Sequence, residues 1–389
     1  MRNQRPYFIQ FACIMTALTA IMIQGFTHVV KMKPLYGFVK KAEVEALSFK
    51  TFYSGSYQSN LTERAKEHTG FREFFIRNYN QVLYSCFHKI TNENIAEGYD
   101  RELFLKDMYL NEVTGDKVQK KFGSVDEAKA VAERAVRETL ILMDTLQRHG
   151  KYFLFVFAPT KTAVYPEKMP QYYQDHLSDF SLEEYYIQLF KENNIPHLDL
   201  YSYFKSISDT VTYPLYTRLA SHWAESTIPW VADTIFRQLE AVTGYRLPSI
   251  HIIDNNITTD YSDYDHELEL SMNLLFPWPK PALPRPVYEL QDTIGKDRPN
   301  LVIVGDSYFD QLMFSCFKDA FHQWDFWKRM AIVYSPQYWQ VRFEDVPNTS
   351  RMLQQADIVL AISTAPSLYN YLFGFTDKAY DLLENQKKP

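Results

Sequence analysis

Ser307 is the residue of this chain whose local sequence best suits a nucleophile. Leu301–Val304 are four consecutive apolar residues, which is typical of a buried strand in a parallel sheet, and a helix is predicted over Phe309–Phe317. The Gly305-Asp306-Ser307 turn between them places the serine hydroxyl at the carboxyl end of a strand, the edge at which open α/β sheets bind ligands. The alternative is that Asp306 and Ser307 only cap the helix, a role that both residue types favour.

A histidine within hydrogen-bonding reach would let Ser307 form a covalent ester, because an imidazole takes the hydroxyl proton and later returns it. His222 is the candidate base, since it lies in a loop before the helix predicted over 228–242. The Ser307 amide and Thr364, which ends another predicted strand, are candidate donors to an oxyanion. The alternative is that His222 is only a packed loop residue.

Helices and strands alternate around these loops. Ser124-x-x-Glu127 is a capping box, apolar residues keep helical spacing as far as Leu146, and Gly150 ends the predicted helix. Tyr152–Phe157 follows as a predicted buried strand.

The same alternation continues along the chain. Ser181-x-x-Glu184 begins a second helix, and further strands are predicted over 195–200, 330–334 and 357–362. The pattern predicts an α/β fold with a parallel, doubly wound sheet.

The N-terminal segment is apolar and long enough to cross a bilayer. No Asp, Glu, Lys or Arg occurs between Arg5 and Lys31. Arg2 and Arg5 precede the apolar run, so we expect a cytoplasmic N-terminus, although the four lysines that follow weaken this argument. Because no small-x-small cleavage motif follows the run, we expect an uncleaved anchor rather than a signal peptide.

The sequence predicts three parts. These are a cytoplasmic tip and transmembrane anchor over 1–33, an N-terminal extension over 34–123 with a hairpin-like piece at 98–116, and the α/β domain over 124–389. A proline-rich insertion at about 254–300 interrupts the last part, and its prolines argue against regular structure. The acidic residues of the insertion are Asp260, Asp263, Asp265 and Glu267. They lack the spacing of a calcium loop, so we expect a solvated or functional loop, such as a lid.

The composition excludes several classes. A formal charge of −6 and a pI near 6.0 argue against nucleic acid as a partner. With 46% hydrophobic and 23% charged residues, the chain can bury a large core. The three cysteines form no zinc spacing, and we expect neither a metal nor a cofactor.

Several segments match a known pattern when they are taken in order. After the N-terminal anchor these segments are GYDRELFL, FLFVFAPTKTAVYPEKMP, SHW, VIVGDSYFDQL and DIVLAISTAPSLYNYLFGFTDKAYDLL. Together they resemble the AlgJ/AlgX group of SGNH-like bacterial polysaccharide O-acetyltransferases, over roughly residues 50–389. The resemblance implies an SGNH-hydrolase-like three-layer α/β/α sandwich, with the histidine before the serine in the chain.

The resemblance also implies roles for individual residues. Ser307 matches the family's nucleophile and His222 its general base. The family's third member is an Asp two residues before the His, and here that position is Ala220. Asp306 could substitute for it, a Ser–His dyad could act alone, or the chain could be a non-catalytic relative. The candidates for substrate or oxyanion binding are Asp306, Tyr308, Thr364 and Lys161, although Lys161 has the alternative of a surface charge.

The expected function follows from this resemblance. We expect a single-pass protein of the bacterial inner membrane, with its globular domain in the periplasm, that acetylates a cell-surface or exported polysaccharide. A membrane-bound O-acyltransferase is the implied partner. The alternatives are an acetylesterase, a non-catalytic glycan-binding or assembly component, which Ala220 favours, and an α/β protein whose Gly-Asp-Ser turn is only a cap.

Overall fold

The computed structural model describes residues 5–37, 45–291 and 298–384. The chain divides into a smaller unit, Met1–Glu93 with Glu269–Pro279, and a larger unit, Asn94–Leu268 with Lys280–Pro389. The domain boundaries at residues 34 and 124 stay a prediction.

The first helix of the smaller unit is the predicted apolar segment. The helices are α1 (Arg5–Thr27), α2 (Phe49–Tyr53), α3 (Ser56–Glu67) and α4 (Arg72–Phe87). Within the described part of the chain, α1 is the one helix long and apolar enough to cross a membrane. The Arg77 guanidinium on α4 donates to the carbonyls of Lys33 (2.9 Å) and Pro34 (2.7 Å), which fixes the chain that leaves α1.

Apart from the helix Asp263–Ser271, which passes into the smaller unit at Glu269, the larger unit contains the described strands and the remaining helices. Its strands are β1 (Ile95–Glu97), β2 (Leu103–Leu105), β3 (Tyr152–Ala158), β4 (His197–Asp199), β5 (Ser249–Thr258), β6 (Leu283–Gln291), β7 (Leu301–Gly305), β8 (Trp324–Lys328), β9 (Ile332–Tyr334), β10 (Trp339–Arg342) and β11 (Ile358–Thr364). The helices that follow α4 in the chain are α5 (Asn111–Val113), α6 (Asp116–Phe122), α7 (Val125–Arg148), α8 (Lys161–Val164), α9 (Gln171–Asp175), α10 (Leu182–Glu192), α11 (Leu200–Ile207), α12 (Ile228–Thr243), α13 (Asp263–Ser271), α14 (Tyr308–Phe314), α15 (Thr349–Gln355), α16 (Ala365–Leu368) and α17 (Phe375–Glu384).

The central sheet has the strand order β10-β9-β8-β7-β11-β3-β4. The five strands from β8 to β4 are parallel, which confirms the predicted parallel core, whereas β9 and β10 add antiparallel strands at one edge. The sequence prediction missed β8 and treated β9 as another parallel strand. Only three residues separate β8 from β9, and parallel neighbours need a crossover of a dozen or more, so the pair is antiparallel.

Helices cover both faces of the sheet. Alternate side chains of a strand point to opposite faces. Phe153, Phe155 and Phe157 of β3 therefore pack with α7, α10 and α17, whereas Leu154 and Val156 pack with α12 and α14. The result is the three-layer α/β/α sandwich that the sequence predicted.

The two predicted helices begin directly after the capping serines that the sequence indicated. Ser124 accepts a hydrogen bond from the Glu127 amide at 3.1 Å, and Ser181 accepts one from the Glu184 amide at 3.3 Å. The hairpin-like piece predicted at 98–116 is present only in part, because β1, which pairs antiparallel with β2, begins before it and most of the chain after β2 is helical.

The proline-rich insertion is more regular than predicted. β5 and β6 form a two-stranded antiparallel ribbon, in which Pro284 faces Ile257 and Pro286 faces Asn255. Prolines are tolerated on edge strands, and each strand of a two-stranded ribbon has one side without a partner. The prediction of irregular structure was therefore wrong for β6. Because this ribbon begins and ends the segment that contains α13, it determines where the acidic residues lie.

Candidate active site

Ser307 lies in the turn between β7 and α14, as the sequence predicted. The turn passes close to β11, because a Cβ on Gly305 would lie 2.4 Å from Ile362 Cγ2 and 2.8 Å from its carbonyl oxygen. Glycine is therefore required at this position for packing. Ser307 stands at the N-cap position of α14, but its side chain makes no capping hydrogen bond. The hydroxyl is thus directed to another partner.

That partner is His222. Nε2 of His222 lies 3.1 Å from Ser307 Oγ, and Nδ1 lies 3.0 Å from Oε1 of Glu267. The side chains of His222 and Glu267 are only 15% and 13% exposed, so the imidazole is held between its two partners in a largely dry environment. The fold thus brings His222 and Ser307 together, although they are 85 positions apart in the sequence.

Glu267 is the residue that sequence reasoning missed. Its Oε1 also accepts hydrogen bonds from the Ser221 amide and hydroxyl, both at 2.7 Å, and from the His222 amide at 3.2 Å. The carboxylate thus holds both the backbone and the ring of the histidine. Ala220, at the family's Asp position, is fully buried; its carbonyl accepts a hydrogen bond from Lys161, and its amide donates to the Thr217 carbonyl. A missing acid at that position together with an acidic insertion was the signal available in the sequence.

Asp265 fixes the segment that carries Glu267. Asp265 accepts hydrogen bonds from the Glu225 amide at 2.9 Å and from the Ser262 hydroxyl at 3.3 Å, and its carbonyl accepts one from the Thr217 hydroxyl. Burial raises the pKa of Asp265 to about 6. The expectation of a solvated loop was therefore wrong for Asp265 and Glu267, because both residues are hydrogen-bonded to the segment of the chain that carries His222.

Asp306 lies beside Ser307 but has a different set of partners. Its carboxylate accepts hydrogen bonds from the Tyr308 amide (3.0 Å), the Thr364 amide (3.0 Å) and hydroxyl (2.7 Å), and the Ser367 hydroxyl (2.6 Å). Asp306 thus ties the turn to the end of β11, and the carboxylate on His222 Nδ1 is that of Glu267 instead. Because the Thr364 amide donates to Asp306, it is not the open oxyanion donor that the sequence suggested.

Tyr308 is a structural contact of the histidine loop. Its hydroxyl donates to the Ser221 carbonyl at 2.8 Å, and its ring packs on those of His222 and Trp223. Burial raises the pKa of Tyr308 well above its ordinary value. The residue therefore supports His222 as a neutral phenol.

Lys161 is not a surface charge, because it is only 1% exposed. Its Nζ lies 2.8 Å from a carboxylate oxygen of Glu102 and donates to the carbonyls of Leu103 (3.0 Å), Thr217 (2.8 Å) and Ala220 (3.1 Å). Burial lowers its pKa, and the Glu102 carboxylate opposes this. Lys161 therefore lies beneath the histidine loop and holds its backbone.

A cavity of about 260 Å³ opens beside Ser307, and we call it the nucleophile cavity. Its lining includes Lys117, Arg329, Tyr109 and Asn370. Arg329 is exposed and has a positive φ of 53°, in the tight turn from β8 to β9. The cavity offers space for a reacting group next to the serine hydroxyl.

A hydroxyl, an imidazole and a carboxylate stand in series at the carboxyl edge of a mostly parallel sheet. Serine hydrolases and acyltransferases use this arrangement, in which the acid orients the imidazole and stabilises its charged form. A family model described as "SGNH hydrolase-like domain, acetyltransferase AlgX" matches residues 118–317, which include all three side chains. The chain belongs to this family, and the resemblance noted in the sequence is confirmed.

The chain is similar to several solved structures, among them the following three. The O-acetyltransferase domain of Pseudomonas putida AlgJ is 12% identical, with a TM-score of 0.46, and the match covers 73% of this chain and 99% of that one. AlgX of Pseudomonas aeruginosa is 16% identical, with a TM-score of 0.46 and coverages of 73% and 67%. PatB1 of Bacillus cereus, solved with a sulfonyl adduct, is 11% identical, with a TM-score of 0.42 and coverages of 64% and 93%. No curated protein matches this chain in sequence.

Proposed function

We propose that this protein is a membrane-anchored O-acetyltransferase that acetylates an exported or cell-surface polysaccharide through an acetyl ester on Ser307. The observation that carries the proposal is the continuous contact from Ser307 through His222 to Glu267, at 3.1 and 3.0 Å. These distances are within the reach that proton transfer needs. Membership of a family whose model is described as an acetyltransferase supports the proposed reaction class.

The reaction proceeds in two balanced halves. Ser307 Oγ attacks the acetyl carbonyl of a donor ester while its proton passes to His222 Nε2, and the donor alcohol leaves with that proton. A sugar hydroxyl then gives its proton to Nε2 and attacks the acetyl-serine, and the serine leaves with the proton. In both halves the Glu267 carboxylate faces the imidazolium and stabilises it.

The location is part of the same proposal. α1 spans the inner membrane once, and the larger unit acts in the periplasm, where exported glycans are found. A membrane-bound O-acyltransferase supplies acetyl groups from the cytoplasmic side. The length and composition of α1 support an anchor.

The proposal is tested in cells and with purified protein. Replacing Ser307 by alanine should remove the acetyl groups of the surface polysaccharide and lower the rate of 4-nitrophenyl acetate cleavage by about 10⁴-fold or more. Ser249→Ala, at an exposed serine at the start of β5, is the matched control and should change neither. Unchanged acetylation with both Ser307→Ala and His222→Ala would show a non-catalytic glycan-binding component, whereas release of acetate without transfer would show an acetylesterase.

A further inference from the structure

A second cavity of the larger unit contains buried carboxyl groups that the reaction does not use. Glu183 on α10 is 1% exposed, and its Oε1 has no hydrogen-bond partner within the described residues. Glu112 on α5 is 8% exposed and lines the same cavity, whose volume is about 260 Å³. A buried polar atom without a partner is destabilising, so its retention needs an explanation. We call this space the carboxyl cavity.

The remaining lining of the carboxyl cavity is also rich in hydrogen-bonding groups. Thr160 and Thr162, which follow β3, hydrogen-bond to each other at 3.0 Å, and Tyr201 and Lys205 belong to α11. Lys205 is already paired with Glu184 at 3.2 Å. The carboxyl groups that line the cavity are Glu112, Asp179, Glu183 and Glu184. Carboxyl groups thus outnumber the one lining lysine, and the cavity suits a ligand that offers N–H or O–H donors.

Burial changes the titration of the two buried glutamates. It raises the pKa of Glu112 to about 7 and the pKa of Glu183 well above its ordinary value. A protonated carboxyl group both donates and accepts hydrogen bonds. An amine or hydroxyl donor of a sugar that enters the cavity favours the carboxylate form of these groups, a form that a glutamine cannot adopt.

The carboxyl cavity lies at the same sheet edge as Ser307. Thr160 follows β3, and β3 is separated from β7 by β11 alone. Two strand spacings of about 4.8 Å place these strand ends about 10 Å apart. One short segment borders both cavities, since Met108 and Lys117 line the nucleophile cavity and Glu112 lines the carboxyl cavity.

The carboxyl cavity also continues into an open groove. Glu184, Tyr201 and Lys205 line both the cavity and a groove of about 610 Å³ between α10 and α11. A polymer that enters the cavity can therefore leave along this groove.

We propose that the carboxyl cavity binds a sugar unit without a carboxylate, carrying hydroxyl or amine donors, in the same acceptor chain whose neighbouring unit is acetylated at Ser307. This inference rests on the proposed function, because it needs a glycan acceptor. A uronate unit is disfavoured in the cavity, since its carboxylate would face the Glu184 carboxylate and the one lining lysine, Lys205, is already paired with that glutamate.

Binding is measured on the full chain in detergent, in a Ser307→Ala background that stops turnover. The probes are tetrasaccharides of glucosamine and of galacturonate, and the readout is calorimetry with saturation-transfer NMR. The glucosamine tetrasaccharide should bind, and Glu183→Gln should weaken it about fivefold to tenfold, the effect of one hydrogen bond. Glu289→Gln, at an exposed residue of β6, should leave binding unchanged. Absence of glucosamine binding, or binding that Glu183→Gln leaves unchanged, overturns the inference, as does tighter Glu183-dependent binding of galacturonate.

Kinetics separates this inference from the proposed function. With Ser307 intact, Glu183→Gln should raise KM for acetyl transfer to the tetrasaccharide about fivefold, and leave 4-nitrophenyl acetate cleavage and transfer to free glucosamine unchanged. Because Oε1 of Glu183 has no partner, the glutamine variant loses no protein hydrogen bond at that atom and should fold. Equal KM values in variant and wild type would overturn the carboxyl cavity alone. Loss of the Ser307 dependence of acetyl transfer would overturn the proposed function, and it would be distinguished from failure of the carboxyl cavity because Glu183-dependent binding of the tetrasaccharide would persist.

Discussion

Two regions of the candidate site are held in place by different parts of the fold. The nucleophile turn, Gly305–Tyr308, is made of consecutive residues between β7 and α14, and the central sheet fixes it. The acid segment, Tyr261–Leu268, lies between the two strands of the β5–β6 ribbon, and it carries Glu267 to His222 across 45 positions of sequence. The comparison shows that the acid of such a site can come from an insertion, provided that the insertion is anchored.

The two regions also differ in how many hydrogen bonds each one provides to its buried aspartate. Asp306 of the nucleophile turn accepts four hydrogen bonds from the turn and from the chain at the end of β11. Asp265 of the acid segment accepts two on its side chain, one of them at 3.3 Å. Burial of Asp265 is therefore less well compensated, which agrees with its raised pKa. We therefore expect the acid segment to be the less stable of the two regions.

The largest effect is expected from Glu267→Gln. An amide at this position cannot stabilise the imidazolium and favours the wrong tautomer, so kcat/KM for 4-nitrophenyl acetate should fall by about 10²- to 10⁴-fold. Asp260→Asn is the matched control, because Asp260 belongs to the same acidic run and its side chain is 87% exposed. A Glu267→Gln enzyme with wild-type kcat/KM would show that the acid segment has no catalytic role.

Lys161→Met should have the largest effect on stability. It leaves the Glu102 carboxylate buried and removes the donor to three backbone carbonyls, so the free energy of unfolding should fall by about 3–5 kcal/mol. Lys168 pairs with the same glutamate at 3.2 Å, but its side chain is 32% exposed, so Lys168→Met should cost less than about 1 kcal/mol. Urea unfolding followed by fluorescence measures both, and equal losses would contradict the structural role of Lys161.

Asp265→Asn tests the cost of burial in the acid segment. The pKa of Asp265 is higher in the folded protein, so its contribution to stability is complete below pH 3.8 and falls as the pH rises to about 6. The asparagine does not titrate. Between pH 4 and pH 7, the free energy of unfolding of the variant should therefore rise relative to wild type by about 2–3 kcal/mol. A difference that does not change with pH, measured by urea unfolding at both values, would contradict this account.

The smallest effect is expected from moving the acid back to the family's position. In the Glu267→Gln enzyme, Ala220→Asp should recover about tenfold in kcat/KM, because a carboxylate two residues before His222 can face Nδ1. Ala220→Asn in the same background controls for the change of volume at this buried position. If the aspartate is no better than the asparagine, then the histidine loop of this chain has lost the geometry that an acid at 220 requires.

The sequence predicts the nucleophile turn well because its signals are local. Apolar runs, capping serines and Gly150 define β3, α7 and the turn that carries Ser307, and each lies within a few residues of what it determines. The resemblance to a family then paired Ser307 with His222. Composition and periodicity cannot show that Ser307 and His222 lie together, nor how far apart they are.

Other parts depend on tertiary contacts that no local pattern contains. The prolines of β6 led to a prediction of irregular structure where the ribbon forms. Without the ribbon, there was no reason to expect Glu267 beside His222. Lys161 looks like any loop lysine until Glu102 and three carbonyls surround it. β8 was missed because Asp325 and Lys328 interrupt its apolar pattern, although Asp325 is buried in the sheet.

The most direct test is to locate the acetyl group on the enzyme. Purified full-length protein is mixed with 4-nitrophenyl acetate, quenched during the first turnover and digested, and the peptides are sequenced by mass spectrometry. Acetyl-Ser307 should form in the wild type and form far more slowly with Glu267→Gln, with the neighbouring Ser315 unmodified in both. An acetyl group on another residue, or a burst that persists in Ser307→Ala, would contradict the account.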